Sequence, residues 1–84
     1  MSFQRCLWDL DDDLDGNVVH IAEHGLTKRD VEEVLSSPLG EDRSRSSGKP
    51  IVFGRTRSGE LVAVVYERID DELVYPVTAF VVSE

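Results

Sequence analysis

Only one cysteine, Cys6, occurs in the 84 residues. An internal disulfide framework is therefore excluded, and a reducing compartment, the cytoplasm, is the expected setting. Long apolar runs are also missing. The longest, Leu61 to Tyr66, falls far short of the roughly 20 residues that span a bilayer, and the opening residues do not read as a signal peptide. Bases are scarce: nine Lys+Arg stand against seventeen Asp+Glu, for a formal charge of -8. Such a balance argues against a globally basic surface of the kind that coats nucleic acid. There is no CxxC, no HExxH and no phosphate-cradling glycine loop. What is present, 40% hydrophobic and 31% charged residues, is the composition of a globular chain. A domain of this size buries only roughly 60–65% of its unfolded surface, which leaves room for one sheet and a helix or two. Residues 1–84 are expected to form a single domain, with no membrane segment and no cofactor.

The charge is unevenly spread. The first 25 residues carry one base, Arg5, against six acids, and form an acidic N-terminal segment (1–16) running into a helical region. By contrast, the window from Arg43 to Arg57 holds Arg43, Arg45, Lys49, Arg55 and Arg57 with no acid. Either a solvated loop and hairpin end happen to be basic, or an otherwise acidic protein has a local anion- or RNA-binding surface. Local field steers a ligand more than net charge does.

Residues 17–37 read as two helices. In the first, Asn17 to His24, Val18, Ile21 and Ala22 fall at i, i+3 and i+4, Asp15 is placed as N-cap, and Gly25 stands where a helix-terminating glycine belongs. In the second, Thr27 is the N-cap, Asp30 makes a variant capping box, and Leu26 can staple against Val31. Val31, Val34 and Leu35 give it one apolar stripe, and Pro38 with Gly40 end it. Residues 38–49 have no periodicity and read as a loop.

From residue 50 to 84 the pattern is that of strands. Ile51–Thr56 leads through a turn at Ser58-Gly59 into Leu61–Tyr66, and a second turn near Asp70-Asp71 leads into Leu73–Val82. A two-residue turn would set Arg55 opposite Val62 and Phe53 opposite Val64, with Arg55 and Tyr66 on one face. Pro76 requires an edge position or a bulge. The expected fold is α+β: two short N-terminal helices on a three-stranded antiparallel meander, with a fourth strand available from Phe3 to Trp8. The middle strand is apolar at every position from Leu61 to Val65, so both of its faces should be covered. Two short helices cover one. The other needs the N-terminal segment, a second copy or another protein.

Three constellations carry candidate chemistry. Asp11, Asp13, Asp15 and Gly16 match the first half of a calcium loop, but position twelve is Ala22 and the match breaks there. His20 and His24 lie one turn apart but lack a third ligand, so no metal site is assigned; His24 also suits the C-terminal end of its helix. Arg55 and Tyr66 on one sheet face would let arginine meet a phosphate and tyrosine stack on a base, or Arg55 would pair with a carboxylate and Tyr66 fill the core.

Trp8-Asp9, Asn17, His24-Gly25-Leu26-Thr27, Gly54-Arg55-Thr56 and Leu61 through Glu67 together resemble the small BrnT-type proteins of the RelE/ParE toxin superfamily. The resemblance implies a compact α+β fold, the toxin role in a toxin–antitoxin pair, and a metal-independent endoribonuclease using His24, Arg55 and Tyr66, with Arg43, Arg45, Lys49 and Arg57 as RNA contacts. It also implies a cognate antitoxin as partner. Tyr75 to Phe80 stands where such toxins carry arginines. The expectation therefore divides between an active nuclease and a relative that acts through a protein partner or by self-association.

Overall fold

The computed structural model describes residues 5–45 and 47–82. It is α+β, with two helices on one side of a five-stranded mixed sheet. The elements run β1 (Arg5–Cys6), α1 (Asn17–Glu23), α2 (Lys28–Ser36), β2 (Gly40–Arg43), β3 (Pro50–Arg55), β4 (Leu61–Arg68) and β5 (Leu73–Val81), and the strand order is β1-β5-β4-β3-β2. The helices thus sit between strands rather than at the N-terminus of the fold. β1 is the extra strand available from the N-terminal segment, paired parallel to β5 through Arg5–Leu73 and Cys6–Val74; Phe3 lies outside the described residues.

Two further expectations are corrected. The stretch 38–49 is not all loop: Gly40–Arg43 pairs antiparallel with β3, Glu41 opposite Val52. Its exposed Glu, Asp and Arg hide the strand, because an edge strand with little to bury shows no apolar alternation. The β3–β4 register is also shifted by one residue, with Arg55 opposite Leu61 and Phe53 opposite Ala63. The cause is the turn. Gly59 adopts φ +93°, and Thr56 N donates to Glu60 O at 3.0 Å. Three residues, Arg57 to Gly59, therefore make the connection, with glycine in the left-handed position, rather than two.

The core lies between the helices and one sheet face. Ile21, Leu26, Val31, Val34 and Leu35 pack on Val52, Val62, Val64, Tyr66, Val74 and Ala79. Gly54 lets α2 approach: a Cβ there would lie 3.1 Å from Val34 Cγ1 and 3.3 Å from Val34 Cα. α2 starts with the expected reciprocal cap, Asp30 N donating to Thr27 Oγ1 at 3.2 Å and Thr27 N to Asp30 Oδ2 at 2.9 Å. α1 is capped at Gly16, not Asp15, and that residue has no side chain to make a cap bond. Pro76 falls at a register shift in β5, where Val65 faces Thr78 but Tyr66 faces Pro76, so Val77 is the extra residue of a bulge. No helix among the described residues is long and apolar enough to cross a membrane.

Candidate functional site

The N-terminal Trp-Asp and Asn positions turn out to hold the molecule together. Asn17 is buried and uses its whole amide: Nδ2 donates to Leu7 O at 3.0 Å and Pro76 O at 2.9 Å, while Oδ1 accepts from Asp9 N at 2.9 Å. Asp9 Oδ2 in turn accepts from Asn17 N at 2.9 Å and from the Tyr75 hydroxyl at 2.5 Å. These bonds hold Asp9 below the usual carboxylate range, the Tyr75 bond first. The same bond, with burial, pushes Tyr75 up to about 12. Trp8 Nε1 reaches Glu32 Oε2 at 3.3 Å and ties the segment to α2.

The acid run that follows is a turn: Asp13 Oδ1 accepts from Asp15 N at 3.0 Å, and Asp11 pairs with Lys28 at 2.8 Å. Among the described residues no group of three or more His, Cys, Asp and Glu side chains is placed to hold a metal ion.

The residues expected to share a catalytic face are separated. β-Strand side chains alternate, so the shifted register sets Arg55 with Phe53 on one side and Tyr66 with Val64 on the other. Arg55 Nη1 donates to Gly59 O at 2.7 Å, over the β3–β4 turn. His24 is an exposed C-cap at the end of α1, its backbone N donating to Ile21 O at 3.0 Å. The acid-free window is divided as well. Arg43, Arg45 and Lys49 stand at one end of β3 and Arg55 and Arg57 at the other, a span of about 17 Å along a six-residue strand. Lys49 pairs with Glu67 at 2.9 Å, Arg43 Nη1 donates to Gly48 O at 3.0 Å, and Arg57 bonds Glu33 through its backbone N at 3.1 Å. Arg45 is exposed in the β2–β3 turn.

Tyr66 instead gathers a different set. On the helix-side face Glu41 and Arg43 come from β2 and Tyr66 and Arg68 from β4, the two strands that flank β3. Burial pushes the Tyr66 hydroxyl above the usual phenol range and Glu41 adds to this; Arg68, which hydrogen-bonds it, and Arg43 oppose. The group thus sets one carboxylate and two guanidinium side chains around the Tyr66 hydroxyl. Arg68 is detectable in the sequence because it lies two positions from Tyr66 on one strand; Glu41 was hidden by the loop reading.

The opposite face of the sheet carries a second surface. Its rows are Asp42, Ile51, Val65 and Thr78, then Gly40, Phe53, Ala63 and Phe80, then Arg55 and Leu61. Both helices pack on the other side, against β3, β4 and β5. Phe80 is 37% exposed and Phe53 half-buried, while Ala63 between them is fully enclosed. Beyond Val65 the surface continues into a hollow of about 370 Å³ bounded by Lys49, Ile51, Val77 and Phe80. No family model, curated protein or solved structure matches the chain.

Proposed function

We propose that this chain is a toxin–antitoxin-type small protein, of the lineage its sequence resembles, that works by binding a protein through its open sheet face. The observation that carries the reading is the pairing of a sheet covered by helices on one side with a row of Phe53, Ala63 and Phe80 on the other. Contiguous apolar surface of this kind marks interaction sites. Separation of Arg55 from Tyr66 favours this reading over the expected nuclease arrangement. Sedimentation velocity of the full chain, alone and with the product of the neighbouring reading frame, tests it. A complex or self-association that Phe80→Glu abolishes supports the proposal; a monomer that ignores both sinks it.

A second reading is favoured by the cluster of Glu41, Arg43, Tyr66 and Arg68. Two guanidinium groups can hold a phosphodiester, Glu41 can take a 2′-hydroxyl proton, and Tyr66 can donate to the phosphate. On this reading RNA is cleaved by the wild type, and Arg68→Ala and Tyr66→Phe lower the rate by roughly 10²-fold or more. Intact RNA after incubation with wild type removes it.

A further inference from the structure

The bulge in β5 opens a hollow on the side of the sheet away from the helices. Thr78 stands opposite Val65, and Val77 is the residue left over between that pair and Tyr66–Pro76. Consecutive strand residues ordinarily point to opposite faces. Here the bulge re-aims the chain, and Val77 and Thr78 both border the hollow. Its volume of about 370 Å³ lies near the lower end of the roughly 300–1,000 Å³ typical of small-molecule sites. The opposite wall is the turn between β2 and β3, which is braced without any ligand: Ser44 N donates to Lys49 O at 2.8 Å and Gly48 N to Ser44 O at 2.7 Å, with Gly48 at φ +72°.

The lining divides by chemistry. Half-buried Ile51 and Val77 and the more exposed Phe80 make apolar walls, and Val65 closes the base. The polar groups are the Lys49 ammonium and the hydroxyls of Ser44, Ser47 and Thr78. Lys49 stands across from Glu67, two positions beyond the Ile51–Val65 pair, and meets it at 2.9 Å. That contact occupies one of three ammonium N–H groups. Ser47 Oγ accepts from Lys49 N at 3.3 Å, which leaves its own O–H to donate. Among the described residues no carboxylate borders the hollow: Glu67 lies on Lys49, and Asp42, on the same face, accepts from Arg43 N at 2.8 Å. The cavity therefore offers donors and one positive charge beside hydrocarbon, and its complement is an anionic acceptor on a small apolar body. A phosphate carries more charge than one ammonium shared with Glu67 can meet, and a cation would meet Lys49. A carboxylate suits both the charge and the walls.

We infer that this hollow binds a small carboxylic acid, its ring or short chain against Ile51, Val77 and Phe80 and its carboxylate at Lys49 and Ser47. The inference does not rest on the protein-binding reading above. The test titrates the ¹⁵N-labelled full chain with phenylpropionate, and with phenylpropanol and phenylpropylamine, which keep the apolar body and replace the anion by a neutral and a cationic end. Phenylpropionate is expected to move the amides of Ser47, Lys49, Ile51, Val77 and Phe80, with half-saturation at roughly millimolar concentration. It should bind about threefold tighter than the alcohol and at least about tenfold tighter than the amine. Lys49→Met brings the acid down to the affinity of the alcohol, whereas Glu67→Gln, which releases a further N–H, holds or raises it. Val77→Phe, which fills the hollow, removes binding of acid and alcohol alike in a chain whose amide spectrum keeps the native fold; should that variant fail to fold, Lys49→Met and Glu67→Gln decide. Equal binding of acid and amine, shifts centred on the helices or on residues 9–15, an acid affinity unmoved by Lys49→Met or lowered by Glu67→Gln, or no shift with any probe at about ten times that concentration each overturns the inference. A chain that ignores all three probes but still forms the complex described above loses this inference and keeps the proposed function.

Discussion

The side-chain amide of Asn17 donates to the carbonyl of Pro76 at 2.9 Å, joining the start of α1 to the middle of β5 across 59 positions of chain. The bond falls where β5 is least able to look after itself. Pro76 has no N–H, the strand bulges at Val77, and the two-residue β1 ends before reaching it. Asn17 satisfies the carbonyl there and at the same time holds the N-terminal segment through Leu7 and Asp9.

Replacing Asn17 by alanine leaves the Leu7 and Pro76 carbonyls and the Asp9 N–H without their partner. Buried groups left unpaired cost about 1–3 kcal/mol each, so a total of at least ~3 kcal/mol is expected, and ~3 kcal/mol is seen as a fall of roughly 12–24 °C in Tm. Asn17→Asp should be no rescue, because a carboxylate cannot donate to the two carbonyls. Thermal unfolding followed by circular dichroism measures both, and a loss below 1 kcal/mol would show that water replaces the amide.

Gly54→Ala is expected to destabilise by about 1–2 kcal/mol. The added Cβ meets Val34 Cα, a backbone atom, at 3.3 Å, so α2 itself has to move. Reduced entropy of the unfolded chain returns only about 0.4–1 kcal/mol. Urea titration should show a lower midpoint with an unchanged slope, and Gly54→Ala combined with Val34→Ala should cost less than the sum of the two alone.

The Asp9–Tyr75 bond makes two opposite pH signatures. Tyr75 is raised from 10.0 to about 12, so its contribution is complete below pH 10 and is lost as pH climbs from 10 to 12. Asp9 is lowered from 3.8, so its contribution is complete above that value and is lost as pH falls through its depressed titration. Tyr75→Phe should return Asp9 toward its ordinary titration in an NMR pH series and remove the alkaline loss of stability between pH 10 and 12. An Asp9 titration unmoved by Tyr75→Phe would contradict the assignment.

Thr27→Ala removes one half of the reciprocal cap on α2. A cost of about 1 kcal/mol is expected. Hydrogen exchange should quicken first at the amides of the α2 N-terminus, beginning with Asp30, which bonds Thr27 Oγ1. Uniform acceleration across the sheet instead would mean that α2 does not fray on its own.

Local chemistry was readable and long-range geometry was not. The Thr27–Asp30 cap and the end of α1 near Gly25 each depend on residues a few positions apart and appear as read, and of the edge or bulge that Pro76 requires the bulge is the one found. β2 escaped because an edge strand of Glu, Asp and Arg buries almost nothing. The β3–β4 register missed by one residue because Ser58-Gly59 also fits a three-residue turn with glycine last. That slip is small in sequence and large in space: it carries Arg55 to the far side of the sheet from Tyr66. The candidate site was accordingly legible in part, with Tyr66 and Arg43 brought together and Arg55 and His24 elsewhere.

The rims of the sheet carry a consequence for how this protein meets others. Among the described residues one border strand spans two residues and the other four, with Glu41, Asp42 and Arg43 turned to solvent. Short, charged borders are poor templates for recruiting a stranger's strand. Fibre-like stacking through lateral hydrogen bonding along these borders is thereby discouraged.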